Sequence, residues 1–502
     1  MGKLRSRDGC LTCRTRHVKC DEQRPVCGNC RKGRRECHRE AHQEARIRFY
    51  DTSRRSPQQH GIPEEIESAV AGSSPGSSHQ TSVRQDSVST SRSMTSSQLL
   101  QPGSVSPAFP VVVDTPEHVI PKAMLARHEA LLVHYYALHL GRWLDCTDAS
   151  RQFTLKIPEL ATTSPVLLEA IMSFAARHAG DTEAANAAHE RCIAMLIVLL
   201  DSGGVADDDD ALLCAIVILR VFEQLTAVGN GSDQERHLAG CSALLRACQG
   251  PCVDPSAPGL RDAAFWVYMR QCLYNACINQ QAPNVDFSLT LLPIPSPGSA
   301  HHSLLSETAW ANSMTWICAT VVQFCFGSSH VQEPSNRMAQ WQELRNTVES
   351  WLRSRPRSFD PIWKGEESSD GGSSSSFPEY YFAADWHVIA FGYYHLACIL
   401  LILYKPTPRF AIRSAHSAGL RREEAQILQH ARAICGSCKS EPSNVPARIA
   451  LCHSVFLWGA LLDNECERNS LVHLLQELEH NHAWPTAWIV SALKEEWGAF
   501  PL

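Results

Sequence analysis

Cys10, Cys13, Cys20, Cys27, Cys30 and Cys37 fall in a pattern that can do chemistry: C-x2-C-x6-C, six residues, then C-x2-C-x6-C again. A C-x2-C pair lets two thiolates reach one metal from a turn. The third cysteine, seven residues on, returns after about two helical turns. Each repeat thus offers three thiolates, whereas structural zinc takes four ligands. Two zinc ions then need eight bonds from six sulfurs, so two sulfurs must bridge. Symmetry nominates the first cysteine of each repeat, Cys10 and Cys27, each completing the other repeat's site. A disulfide framework is the competing reading, disfavoured in a chain expected to be intracellular.

The charge around this cluster agrees with it. Residues 1–55 carry 16 Lys and Arg against 7 Asp and Glu, whereas the rest of the chain holds 30 basic and 45 acidic residues. A small basic head on a large acidic body points to a module for a polyanion. The stretches Gly9-Cys10-Leu11-Thr12-Cys13-Arg14-Thr15-Arg16-His17-Val18-Lys19-Cys20-Asp21 and Arg24-Pro25-Val26-Cys27-Gly28-Asn29-Cys30 resemble the fungal zinc-cluster (Zn2Cys6 binuclear) transcription regulators. The resemblance implies a short helix over 14–19 entering the major groove of double-stranded DNA, and a turn between lobes shaped by Pro25. Arg16 and His17 stand where the family reads bases, with His17 in place of its usual lysine, so CGG-type half-sites are implied less firmly. Arg14, Lys19 and Arg24 are read as phosphate contacts, with a solvated basic residue the plain alternative. Arg31, Lys32, Arg34 and Arg35 suit nuclear import.

Behind residue 55 the composition changes. Between 71 and 107, 13 of 37 residues are serine, too little apolar surface to offset the entropy of ordering. Residues 56–117 are therefore expected to be a disordered linker. Residues 38–55 carry no heptad, so dimerisation, if present, is assigned to the domain that follows.

From 118 to 502 apolar residues recur with helical spacing, and an all-α domain is expected. Leu131, Leu132, Tyr135 and Leu138 suggest the inward face of a first helix. Helices are expected over 165–178, opened by Ser164 and stopped by Gly180, and over 183–200, 212–225, 233–248, 260–279, 306–326, 336–352, 386–404, 421–435 and 447–461, with two more near the C-terminus. Asp207 to Asp210 read as acidic residues at a helix start. The apolar run 388–404 reads as a buried core helix, so no membrane partner is expected. Trp143-Leu144-Asp145-Cys146-Thr147-Asp148, Ser164-Pro165-Val166-Leu167-Leu168, Ala175-Ala176-Arg177-His178 and Trp484-Pro485-Thr486-Ala487-Trp488 resemble the helical regulatory domain that accompanies many fungal zinc clusters.

Catalytic signatures are not found: there is no Walker-type loop, no G-x-S-x-G and no H-E-x-x-H. Cys435-Gly436-Ser437-Cys438 lacks a second pair, and its thiols, like Cys214, Cys318, Cys325 and Cys398, read as packing; His395 reads as a core histidine. The expectation is a nuclear, sequence-specific regulator of RNA polymerase II transcription with two bound zinc ions. An activator of a metabolic or secondary-metabolite gene set, working with co-regulators, is the form that the resemblance favours; either a homodimer pairs through the helical domain or the head binds a single half-site. An interaction protein using the cluster only as a clip is the rival.

Overall fold

The computed structural model describes residues 12–13, 18, 21, 26–33, 35, 37, 124–201, 210–226, 252–294, 304–327, 334–365, 377–406 and 413–498. The expected linker over 56–117, the helix over 233–248 and Asp207 to Asp209 lie outside them. In the head, α1 is Gly28–Lys32. In the body, α2 (Arg127–Tyr135) runs through a π-helical turn, Tyr136–Leu140, into α3 (Gly141–Leu144). A second π-helical turn, Gln152–Lys156, leads into α4 (Ile157–Leu160). There follow α5 (Pro165–His178), α6 (Thr182–Asp201), α7 (Asp210–Thr226), α8 (Leu260–Asn279), α9 (Leu304–Phe326) and α10 (Pro334–Ser354). The last group is α11 (Asp385–Leu403), α12 (Arg413–Ser440), α13 (Val445–Trp458), α14 (Glu465–His482) and α15 (Ala487–Glu496). Two minimal sheets join them: β1 (Cys252–Val253) pairs in parallel with β2 (Thr290–Leu291), and β3 (Trp363–Lys364) runs antiparallel to β4 (Tyr380–Tyr381).

Local chemistry sets helix ends. Ser164 caps α5 by accepting from the Leu167 N–H, Pro165 occupies the first turn, and Gly180 beyond the end has φ 90°. The Gly180 N–H donates to Arg177 and the Asp181 N–H to Ala176, a Schellman closure. Leu167, Ala170, Ile171 and Phe174 face inward from α5, which packs on α6 and α7.

The first helix is turned from the expected face: Leu132 and Tyr135 pack partly buried against the core, but Leu131 and Leu138 do not. Val133, Tyr136, Leu140, Trp143 and Leu144 are buried, whereas Leu131 and Leu138 are more than half exposed. Both stripes obey helical spacing. Only the buried one continues through α3 to Trp143 and Leu144, which meet the rest of the core.

The core is continuous across the body. α7 is buried on nearly every side and packs on α5 and α8, while α11 lies against α9, α12 and α13. Among the described residues, α11 is the helix whose length and composition would suffice to cross a membrane, and most of its apolar stretch is buried inside the protein. Indole N–H groups tie distant turns together: Trp341 donates to the Leu401 carbonyl at 2.8 Å and Trp351 to that of Trp310 at 3.0 Å. Trp363 alone among the twelve tryptophans is more than half exposed. His395 packs on Phe391 and shares a 2.7 Å hydrogen bond, Nδ1 to Nδ1, with His430. Burial pushes the thiols of Cys192, Cys272, Cys277, Cys398 and Cys438 up to about 12.

α12 runs further than expected in both directions, taking Cys435 to Cys438 into its last turns. Cys435 and Cys438 are buried, and the Cys438 thiol faces the Ala447 carbonyl at 3.4 Å. The glycine between them is there for space: a Cβ on Gly436 would stand 1.8 Å from the Pro378 carbonyl oxygen, at the approach to β4. Gly436→Ala must push that segment away, and a loss of about 1–3 kcal/mol is expected despite alanine's better helix propensity. Denaturant titration of the full chain measures it; a variant as stable as the parent would mean that the approach is soft.

Candidate zinc cluster and nucleic-acid interface

α1 begins at the second C-x2-C. Cys27 is its N-cap, with Sγ accepting from the Cys30 N–H at 3.3 Å. Asp21 reinforces that end, both carboxylate oxygens lying 2.9 Å from the Gly28 N–H, a negative group at a helix start. The chain then turns at Gly33, whose N–H donates to Asn29. Cys37 folds back until its Sγ accepts from the Cys27 N–H at 3.4 Å.

Cys13, from the first repeat, meets Cys27 and Cys30, from the second. All three are buried, and their sulfurs lie within 4.8 Å of one another. The Cys13–Cys27 separation is 3.7 Å, far beyond a disulfide bond of about 2.05 Å. Two thiolates on one tetrahedral zinc, with Zn–S of about 2.3 Å, stand about 3.8 Å apart. The sulfurs therefore fit the edge of a zinc-thiolate tetrahedron, and a thiol–thiol hydrogen bond is the weaker account of the same distance. Cys27 touches both repeats, the position that a bridging sulfur occupies.

Of the residues expected to act, Cys13, Cys27 and Cys30 come together and Cys37 joins them through the Cys27 backbone. Arg31 and Lys32 stand exposed in the last turn of α1, with Arg31 Nη2 donating to the Val26 carbonyl at 3.2 Å. Arg35 is exposed, its N–H donating to the Cys30 carbonyl at 3.0 Å. Cys10, Cys20, Arg14, Arg16, His17, Lys19, Arg24 and Arg34 lie outside the described residues. Asp21 was not singled out from sequence; a carboxylate next to a ligand position, seven residues before a short helix, is the signal that would have found it.

A thiolate cluster in a basic head, ahead of a large helical body, defines a class: a zinc-dependent module with a separate regulatory domain. Residues 8–46 match the Fungal Zn(2)-Cys(6) binuclear cluster domain, and residues 130–498 match the Fungal specific transcription factor domain. The chain belongs to the fungal zinc-cluster transcription factors. Zinc-cluster domains bind DNA through a binuclear zinc centre, and this family is one of regulators, not of enzymes.

Among curated proteins, the chain is 24% identical to the transcription activator AMTR1 of Alternaria alternata over 342 residues, 57% of this chain and 44% of that one. It is 62% identical over 37 residues to the adhesion and hyphal regulator 1 of Candida albicans, 7% of this chain and 6% of that one. It is 61% identical over 33 residues to the aspercryptin biosynthesis cluster-specific transcription regulator atnN of Emericella nidulans, 7% of this chain and 5% of that one. The chain thus spans less than half the length of these relatives. No solved structure matches it.

Proposed function

We propose that the chain is a nuclear, sequence-specific DNA-binding regulator of RNA polymerase II transcription, acting as an activator of a metabolic or secondary-metabolite gene set. The observation that carries this reading is the meeting of Cys13 with Cys27 and Cys30, which joins the two cysteine repeats into one metal-binding fold. In this reading Cys10 and Cys27 bridge two zinc ions, and Cys13, Cys20, Cys30 and Cys37 complete them. The Alternaria and Emericella relatives, named an activator and a biosynthesis cluster-specific regulator, support the finer part. A genome-wide binding map tests it: sites concentrated upstream of one gene cluster are expected, and a map without a recurring motif would overturn it.

Arg16 and His17 are assigned to base edges, and Arg14, Lys19 and Arg24 to phosphates. Arg31, Lys32, Arg34 and Arg35 are assigned to import. Arg14→Ala or Lys19→Ala should weaken binding to all sequences and reduce the salt slope by about one unit. Arg16→Ala should instead relax preference at one base pair, at a cost of about 1–3 kcal/mol. Titrations at several salt concentrations on the selected site and on scrambled DNA separate the two; equal losses on both for Arg16→Ala would remove it from the groove.

One zinc-cluster head covers about three base pairs, too few to select a site in a genome. Pairing is assigned to the helical domain from residue 118 onward, with residues 56–117 giving the heads reach. Co-regulators are assigned to the same domain.

A further inference from the structure

The middle of the body holds a cavity of about 60 Å³, walled by α7, α8, α11 and α13 and bounded by Trp143 of α3 and Trp484 between α14 and α15. Val221, Val267 and Ala450 give it an apolar lining. Its polar groups distinguish it from a packing void. Gln224 and Gln271 are buried, yet Nε2 of the first and Oε1 of the second have no hydrogen-bond partner. The buried Trp484 indole N–H lies toward the Tyr274 hydroxyl without a hydrogen bond of good geometry. Both ring nitrogens of buried His453 are without a hydrogen-bond partner. Empty cavities in proteins are apolar; a cavity that strands donors and an acceptor is built for an occupant that satisfies them.

Charge narrows the choice. No Asp or Glu lines the cavity, and Arg270 does. Its guanidinium is held on neutral oxygens, donating to Thr147 Oγ1 at 2.7 Å and to the Leu144 carbonyl at 2.6 Å, with no ion pair. Asp148, whose charge it feels, gives its oxygens to the backbone N–H groups of Ser150 and Gln152. One turn from Gln224 on α7, Arg220 is fully buried; it pairs once, with Glu223 at 3.0 Å, and its Nε and Nη2 have no partner. A guanidinium in the lining with no carboxylate beside it favours an anion in the cavity, and Arg220, behind the lining, adds positive charge on the α7 side.

We infer that this cavity binds a small carboxylate effector bearing a hydroxyl or amino group. At about 10–15 Å³ for each water-sized occupant, the cavity admits about four to six non-hydrogen atoms. The carboxylate sits on the Arg270 side, taking hydrogen bonds from Gln224 Nε2 and the Trp484 indole. The ligand's own donor goes to Gln271 Oε1, and its hydrocarbon lies on Val221, Val267 and Ala450. Arg270, Pro446 and Ile449 keep partial exposure and mark the side of entry. An occupant ties four helices together, so it changes the stability of the body as a whole. This binding claim does not depend on the assignment of DNA contacts.

Thermal melting and tryptophan fluorescence of the full chain test it, with lactate and glycolate as anionic probes and 1,2-propanediol as the neutral isostere, at matched ionic strength. Lactate or glycolate should raise the melting temperature by several degrees and change the emission of Trp143 and Trp484, and propanediol should do neither. Gln224→Leu removes an unpartnered buried amide, so it should melt no lower than the parent while binding lactate at least about tenfold more weakly. Arg270→Gln should erase the preference for the anion over propanediol. No shift with either carboxylate, an equal shift with propanediol, or an undiminished lactate response in Gln224→Leu would each overturn the inference, the first of these leaving a water-filled cavity.

Discussion

Stripping the metal from the full chain should abolish specific DNA binding while the helical body stays folded. The buried thiols of the head form a cluster separate from the core of the body. Among the described residues of the head, the buried cluster is made of thiols, Cys13, Cys27 and Cys30, with Val26 and Cys37 packed on it, and metal binding to such thiols supplies folding energy. A strong chelator should lower affinity for the selected site by about a thousandfold or more, to the non-specific level, with the helical signal of the body retained. Metal analysis should give two zinc ions per chain. Cys27→Ser should lose both, because its sulfur stands with each repeat, whereas Cys466→Ser, at an exposed position in α14, should lose neither. One zinc per chain in the parent would sink the binuclear assignment.

The second large effect is acid instability of the body. Burial holds His453 at about 3 and both His178 and His430 at about 4, and it lowers His395, His387 and His482. The unfolded chain takes up protons on these residues near pH 6.5, and the folded chain does not. Stability is therefore full above about pH 6.5 and falls as pH drops toward 4. At pH 5 the fully buried His453 alone costs up to about 2 kcal/mol. The His395–His430 pair adds a geometric reason: at 2.7 Å one Nδ1 donates and the other accepts, and a second proton sets two donors against each other. Asp145 opposes the trend, since burial lifts its carboxyl to about 7 despite the Phe153 and Thr154 N–H groups, so it keeps a proton through the same window. Burial also raises the carboxyls of Asp148, Asp262 and Glu441, which oppose the trend too, and the six histidines outnumber these four. The melting temperature of the full chain should fall steadily from pH 7 to pH 5, and His430→Gln should flatten the slope. A melting temperature that holds or rises over that interval would contradict the balance.

Much of this was legible in the sequence wherever the deciding chemistry is local. Ser164, Pro165 and Gly180 gave both ends of α5, and α8 began and ended where its spacing put it. The cysteine repeat was legible because a metal asks for ligand number and spacing, which a chain can write in thirty residues. Counting bonds even reached across the repeats to Cys27. What stayed hidden depends on partners far along the chain. Leu131 and Val133 belong to equally regular stripes, and only the neighbouring helices choose between them. Gly436 looked like part of a C-x-x-C and is a clearance for Pro378. Gln224, Arg270, Gln271 and His453 share no spacing, and only the packing of four helices makes them neighbours.

The buried thiols of the body have one more consequence. Nucleophilic attack needs a thiolate and a path, and buried Cys192, Cys272, Cys277 and Cys438 have neither at neutral pH, while partly buried Cys398 lacks the thiolate. Among the described cysteines of the body, Cys252 and Cys466 are the exposed ones. An electrophile meeting the folded protein therefore finds, among the described residues of the body, two exposed sulfurs, and in the head it finds sulfurs behind zinc. Modification mapped by mass to the labelled peptide then serves as a gauge of metal occupancy: a fast-reacting Cys13, Cys27, Cys30 or Cys37 reports a head that has let its zinc go.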